Sequence, residues 1–101
     1  PVGAIEKVLK QTGWKAEDVD LWEVNEAFAM VAMIAMDAFA LPIEKVNIHG
    51  GACALGHPLG SSGSRIIVTL IHALKRTGGK KGIAALCIGG GEATAVAIEL
   101  V

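Results

Sequence analysis

Three short stretches of this chain set a residue able to do chemistry among neighbours suited to mounting it. The first is Asn25-Glu26-Ala27-Phe28, at the join of an apolar run and a helical one. An asparagine there can hold a water or an imidazole through its side-chain amide. It can equally cap the helix, with Glu26 favouring the positive helix end. The second is Gly56-His57-Pro58. The glycine admits a ligand close to the backbone and the proline stiffens the imidazole's mount, so His57 is a candidate acid/base group as well as an ordinary polar loop residue. The third is Cys87-Ile88-Gly89-Gly90-Gly91. A strand cysteine is ordinarily a small hydrophobe. Running into three glycines, this one adjoins a turn whose bare amides can converge on one spot, as an oxyanion hole requires. A thiol and an imidazole together suggest thiol acid/base or nucleophilic chemistry.

Two other groupings lead elsewhere. His49, Cys53 and His57 recur at every fourth position, but Gly50, Gly51, Gly56 and Pro58 oppose the helix that would gather them into a zinc face. Gly60-Ser61-Ser62-Gly63 precedes a helix and resembles an anion cradle. It lacks the lysine of a phosphate-binding loop, and Gly89-x-Gly91 opens a strand, so neither nucleotide fingerprint is present.

The elements that must position these residues follow from periodicity. Ile5, Val8 and Leu9 share a face of a helix over 3–12, which Gly13 stops. A polar connection over 15–20 leads to a short strand at 21–24. A helix over 26–41 follows, with Asp37 its sole polar residue after Glu26, so burial on most sides is expected. It is too short to span a bilayer comfortably. A strand at 46–49, a glycine-rich loop over 50–63 and a helix over 64–76 come next. That helix carries Ile66, Ile67, Val68, Leu70, Ile71 and Leu74, and ends at Lys75-Arg76 before Gly78-Gly79. An apolar strand over 82–88, a tight turn at 89–91 and a strand over 93–101, able to return antiparallel, complete the pattern. Strands alternating with helices predict an α/β layered fold with a mixed sheet.

Composition narrows the function classes. The chain has 101 residues, enough for one domain. A domain that small buries roughly 60–65% of its unfolded surface, yet 52% of these residues are hydrophobic and only 19% charged. The apolar surplus points to an interface with a larger assembly. A net charge of −1 gives no field for nucleic acid or anionic membrane. Two cysteines do not make a disulfide framework, and a reducing, cytoplasmic location is expected.

Taken in order, Asn25-Glu26-Ala27-Phe28, then Gly50-Gly51-Ala52-Cys53-Ala54-Leu55-Gly56-His57-Pro58-Leu59-Gly60, then Cys87-Ile88-Gly89-Gly90-Gly91 resemble the three C-terminal motifs of the thiolase family. The similarity runs from Pro1 to Val101, and the Asn47-Ile48-His49-Gly50-Gly51 variant leans toward the short-chain acetyl-CoA acetyltransferase branch. The resemblance implies an acyltransferase that reversibly condenses two acetyl-CoA into acetoacetyl-CoA plus CoA, with coenzyme A thioesters as substrates and no separate cofactor or metal. By position, it makes Cys87 the acid/base at the α-carbon. His57 becomes the activator of the nucleophilic cysteine, Asn25 the holder of an oxyanion-hole water and Gly89 an amide donor of a second oxyanion hole. Ala27 and Phe28 would line the pantetheine and acyl pocket.

The resemblance also implies what lies elsewhere. Residues 1–101 would be the C-terminal domain alone, without the N-terminal half, its nucleophilic cysteine or the coenzyme-A-binding loop domain. Turnover by this chain unaided is therefore not expected. The N-terminal half is its expected partner, the 64–76 helix is expected to face that half, and a homo-oligomer, dimer or tetramer, is expected of the full protein. In the sheet order 3-2-1-4-5 the central first strand would precede Pro1, leaving strand 21–24 without a neighbour on one side. Two other readings stand beside this one. One is a non-catalytic thiolase-like module that docks to a partner half. The other is a ketoacyl synthase relative, against which Cys87-Ile88-Gly89-Gly90-Gly91 argues, since those enzymes commonly use two histidines or a His-Asn pair.

Overall fold

A computed structural model describes residues 2–26, 29–50, 62–88 and 92–100. Helix α1 (Val2–Thr12) is followed by a 3₁₀ turn at Ala16–Asp18 and strand β1 (Leu21–Val24). Helix α2 (Ala29–Phe39), a 3₁₀ turn at Ile43–Lys45, helix α3 (Ser62–Thr77) and strands β2 (Lys81–Ile88) and β3 (Glu92–Glu99) complete it. The sheet order is β1-β2-β3. β1 runs parallel to β2 with Val24 opposite Ala85, and β3 returns antiparallel with Ala97 opposite Ile83.

Strand alternation divides the core in two. Trp22, Val24, Ile83 and Ala85 point to one face, where Ile5 and Val8 of α1 and Ala35 of α2 cover them. Leu21 and Ala84 point to the other, against Ile66, Leu70, Ala73 and Leu74 of α3. The i, i+4, i+7, i+8 spacing of those four α3 residues is the apolar stripe of a helix lying on a sheet. Helix and strand meet closely at Gly82, where an added Cβ would lie 2.9–3.0 Å from Leu70 side-chain carbons.

Helix ends show why the boundaries fall where they do. At the end of α1, Gly13 takes φ +73° and its N–H bonds the Leu9 carbonyl at 3.0 Å. α2 closes earlier than Pro42 suggests. Ala40 adopts the left-handed conformation (φ +52°), and the Leu41 N–H reaches back to the Met36 carbonyl at 2.9 Å. That is the six-to-one bond of a Schellman end, made here without glycine. No helix among the described residues is long and apolar enough to cross a membrane.

Three expectations are corrected. The strand at 46–49 reduces to one bridge, Trp22 to Val46. Asn47 turns away at φ +48°, and its side-chain amide does the pairing: Oδ1 accepts from the Val24 N–H at 2.8 Å and Nδ2 donates to the Val24 carbonyl at 2.9 Å. One side chain thus satisfies both backbone groups that a longer strand would have met. The apolar helix α2 is not buried on most sides, because only one of its faces meets the sheet layer; Met33 is 66% and Ile34 51% exposed. The gap expected beside strand 21–24 does not exist. β1 and β2 are hydrogen-bonded neighbours, and Val46 touches the other edge of β1, so no central strand is missing between them. A longer sheet has to grow at its outer edges. The loop at 51–61 and the turn at 89–91 lie outside the described residues.

Candidate active site

β1 and β2 run parallel and end side by side, and the carboxyl ends of parallel strands are where α/β sheets place their chemistry. Asn25 immediately follows β1, and its N–H extends the ladder by donating to the Ala85 carbonyl at 2.9 Å. Cys87 lies two residues beyond Ala85 on β2, paired with Ala93 of β3. The fold therefore brings the backbones of Asn25 and Cys87 together at one end of the sheet. The Cys87 side chain, and Ala27, Phe28, His57 and Gly89, lie outside the description, as do Cys53 and the cradle's Gly60 and Ser61. Among the described residues no cluster of His, Cys, Asp or Glu could hold a metal ion.

The Asn25 side chain is buried, 1% exposed, and faces a guanidinium. Arg65, in the first turn of α3, points Nη2 at Asn25 Oδ1 across 3.5 Å. Its Nη1 lies 3.8 Å from Oε1 of Glu23, a carboxylate only 2% exposed. Alternation along β1 puts Glu23 on the same face as Leu21, the α3 face, which is why the two charges meet. Nδ2 of Asn25 is buried and has no hydrogen-bond partner among the described residues. A buried N–H₂ without an acceptor costs about 1–3 kcal/mol, and Asn25 Nδ2 is thus a donor available to a further group.

Burial pushes the Glu23 carboxyl up to about 7, against the lowering influence of Arg65 and with a smaller upward push from Glu26. At the opposite end of the strands, the Lys81 and Lys80 amides both donate to Asp20 Oδ2, at 3.0 and 2.8 Å, and hold that carboxyl below its usual value. Asp20 thereby ties the entry of β1 to the entry of β2.

Sequence reasoning singled out Asn25 and Cys87 but passed over Glu23 and Arg65. The signal was available. Glu23 is the sole charge in the Leu21-Trp22-Glu23-Val24 strand, and Arg65 directly precedes the buried stripe of α3. Isolated opposite charges in two apolar elements that pack together are candidates for each other.

Comparison with known proteins bears on this arrangement. The family model described as the thiolase C-terminal domain matches residues 1–100. The cytosolic acetyl-CoA acetyltransferase of Mus musculus is 56% identical over 99 residues, 98% of this chain and 25% of that protein. An acetyl-CoA acetyltransferase of Chromobacterium violaceum is 52% identical over the same shares. The crystal structure of the Bacillus anthracis acetyl-CoA acetyltransferase superimposes with a TM-score of 0.96 at 50% identity, covering all of this chain and 26% of that one. Human mitochondrial 3-ketoacyl-CoA thiolase in complex with CoA gives 0.95, also at 50% identity and the same coverage. The chain thus spans about a quarter of the length of its relatives. With its mixed sheet, its layered helices and a family match over nearly its whole length, it belongs to the thiolase family, in the C-terminal domain.

Proposed function

We propose that the chain supplies the acid/base half of a thiolase active site, and that the complete enzyme interconverts two acetyl-CoA with acetoacetyl-CoA plus CoA. One observation carries the reading: the bond from the Asn25 N–H to the Ala85 carbonyl sets Asn25 and Cys87 at the adjoining carboxyl ends of two parallel strands. In the condensing direction the Cys87 thiolate takes a proton from the α-carbon of acetyl-CoA. The resulting carbanion attacks an acetyl thioester carried on a nucleophilic cysteine of the N-terminal half. The C–C bond forms as the C–S bond breaks, and the nucleophile leaves as a thiolate. His57 activates that nucleophile. Asn25, through a water, stabilises one developing oxyanion, and the Gly89 amide stabilises the other. Ala27 and Phe28 line the acyl and pantetheine path. Coenzyme A thioesters are the substrates, with no further cofactor. The N-terminal half is the partner, the complete protein is a homo-oligomer, and its location is the cytoplasm.

A chimera tests the reading. Residues 1–101 replace the matching quarter of the Bacillus anthracis enzyme, and acetoacetyl-CoA formation and thiolysis are followed. Turnover is expected, with losses of about 100-fold or more on Cys87→Ala, His57→Ala or Asn25→Ala. A folded chimera that binds CoA without turnover would support the non-catalytic docking module instead. The exposed Met33 and Ile34 ridge on α2 is the feature that favours that second reading.

A further inference from the structure

The structure assigns Arg65 as a positioning residue that fixes which end of the Asn25 amide faces the reacting groups, with Glu23 holding Arg65 in place. This rests on the catalytic reading of Asn25 above. A guanidinium is a donor only, so it can face the carbonyl end of an amide and not the N–H₂ end. Arg65 Nη2 lies 3.5 Å from Asn25 Oδ1. Turning the amide over would set its N–H₂ against a cation within a largely apolar wall. The arginine therefore imposes a polarity: Oδ1 inward toward α3, Nδ2 away from it, buried and with no partner among the described residues. That is the orientation in which the amide can donate to a water or an oxyanion.

The arginine is itself fixed. Its side chain is 20% exposed, and Nη1 sits 3.8 Å from the buried Glu23 carboxylate, whose strand cannot move without breaking the ladder to β2. Nε and Nη1 make no hydrogen bond among the described residues, within which the guanidinium's polar contacts are those to Glu23 and Asn25. A plain stabilising ion pair would not require the second contact, and a plain helix cap would leave Asn25 indifferent to α3.

A double-mutant cycle in the chimera tests this, with thermal stability measured alongside. Arg65→Met is expected to lower kcat about tenfold or more while leaving KM for acetyl-CoA within about twofold, since it misorients a group used in the transition state. Asn25→Ala is expected to lower kcat about 100-fold. The double variant is expected to be no slower than Asn25→Ala alone, because Arg65 acts through the amide that is gone. Arg65→Lys keeps the cation but not the fork, and is expected to fall between wild type and Arg65→Met; it carries the cycle if Arg65→Met does not fold. Wild-type rates in the arginine variants, or an arginine loss that recurs in full in the Asn25→Ala background, would overturn the assignment. An Asn25→Ala variant of undiminished activity overturns the catalytic use of Asn25 and the positioning role together.

Discussion

Replacing Glu23 by glutamine isolates the energetics of the buried pair. The Glu23 carboxyl rises from 4.5 to about 7 on folding, and the chief cause is loss of water around it. At about 1.4 kcal/mol per unit, that shift makes stability differ by about 3 kcal/mol across the window. The sign follows from proton counting. Between pH 4.5 and about 7 the native state keeps a proton that the unfolded chain has released. Stability therefore falls as pH rises through that window and is level above it. Glutamine keeps the shape and removes the titration, so E23Q should show no such decline and gain relative to wild type toward pH 8. The charged groups influencing Glu23 are Arg65 from α3 and Glu26 beyond β1, and Arg65→Met should move the transition still higher, because Arg65 is what lowers it. Asp20 does not confuse the measurement. Its carboxyl is depressed by the Lys81 and Lys80 amides, so its stabilisation is intact above the ordinary carboxylate range and is lost only in stronger acid. Urea unfolding of wild type and E23Q across this range gives the difference directly. Parallel stability curves for the two would show the ion pair cancelling desolvation, and a wild-type curve that rises where it should fall would show it outweighing desolvation; either result would refute the argument.

The remaining predictions concern the frame around the site. Gly82→Ala places a methyl 2.9–3.0 Å from the fully buried Leu70 and should cost about 1–3 kcal/mol, read by denaturant midpoint. Ala40→Gly relieves a left-handed alanine at an exposed helix end (φ +52°), and should raise stability by about 0.5–1 kcal/mol in the same assay. Asn47→Ala removes both bonds to Val24 and leaves alanine at φ +48°. It should cost about 2–3 kcal/mol and speed hydrogen exchange at the Val24 amide. An exchange rate unchanged at Val24 would mean that the backbone there is protected by something other than the Asn47 side chain.

Where the sequence was legible, one physical signal governed each element. Gly13 and Gly78 end their helices with positive φ, as residues without a Cβ should, and the uninterrupted apolar run over 82–88 is a strand between two layers. Where it was not, two signals competed or the partner lay far along the chain. Pro42 looks like the terminus of α2, yet a strained alanine two residues earlier turns the chain. Val46 to His49 is apolar enough for a strand, but the Asn47 side chain takes over after one bridge. The expected sheet order came with the family resemblance, and the residue pattern held nothing to test it. Alternation tells a strand's faces apart but says nothing about its neighbours, and a direct β1–β2 ladder has the same pattern as two strands separated by a third.

The same limit explains why Asn25 was visible and its supports were not. An asparagine between a strand and a helix stands out by type and place, whether as cap or as catalyst. The choice between those roles depends on what its oxygen meets, and that group is 40 residues away. In the fold the oxygen meets Arg65, and Arg65 meets Glu23 on β1, two residues before Asn25 in the chain. Three polar side chains from two elements thus form one chain of contacts through an apolar layer. Such a chain is costly for stability alone, since a well-packed hydrophobic replacement is often neutral or better. The proposed role of Asn25 accounts for a buried, shifted carboxyl and an amide N–H₂ without a partner among the described residues, where stability alone does not.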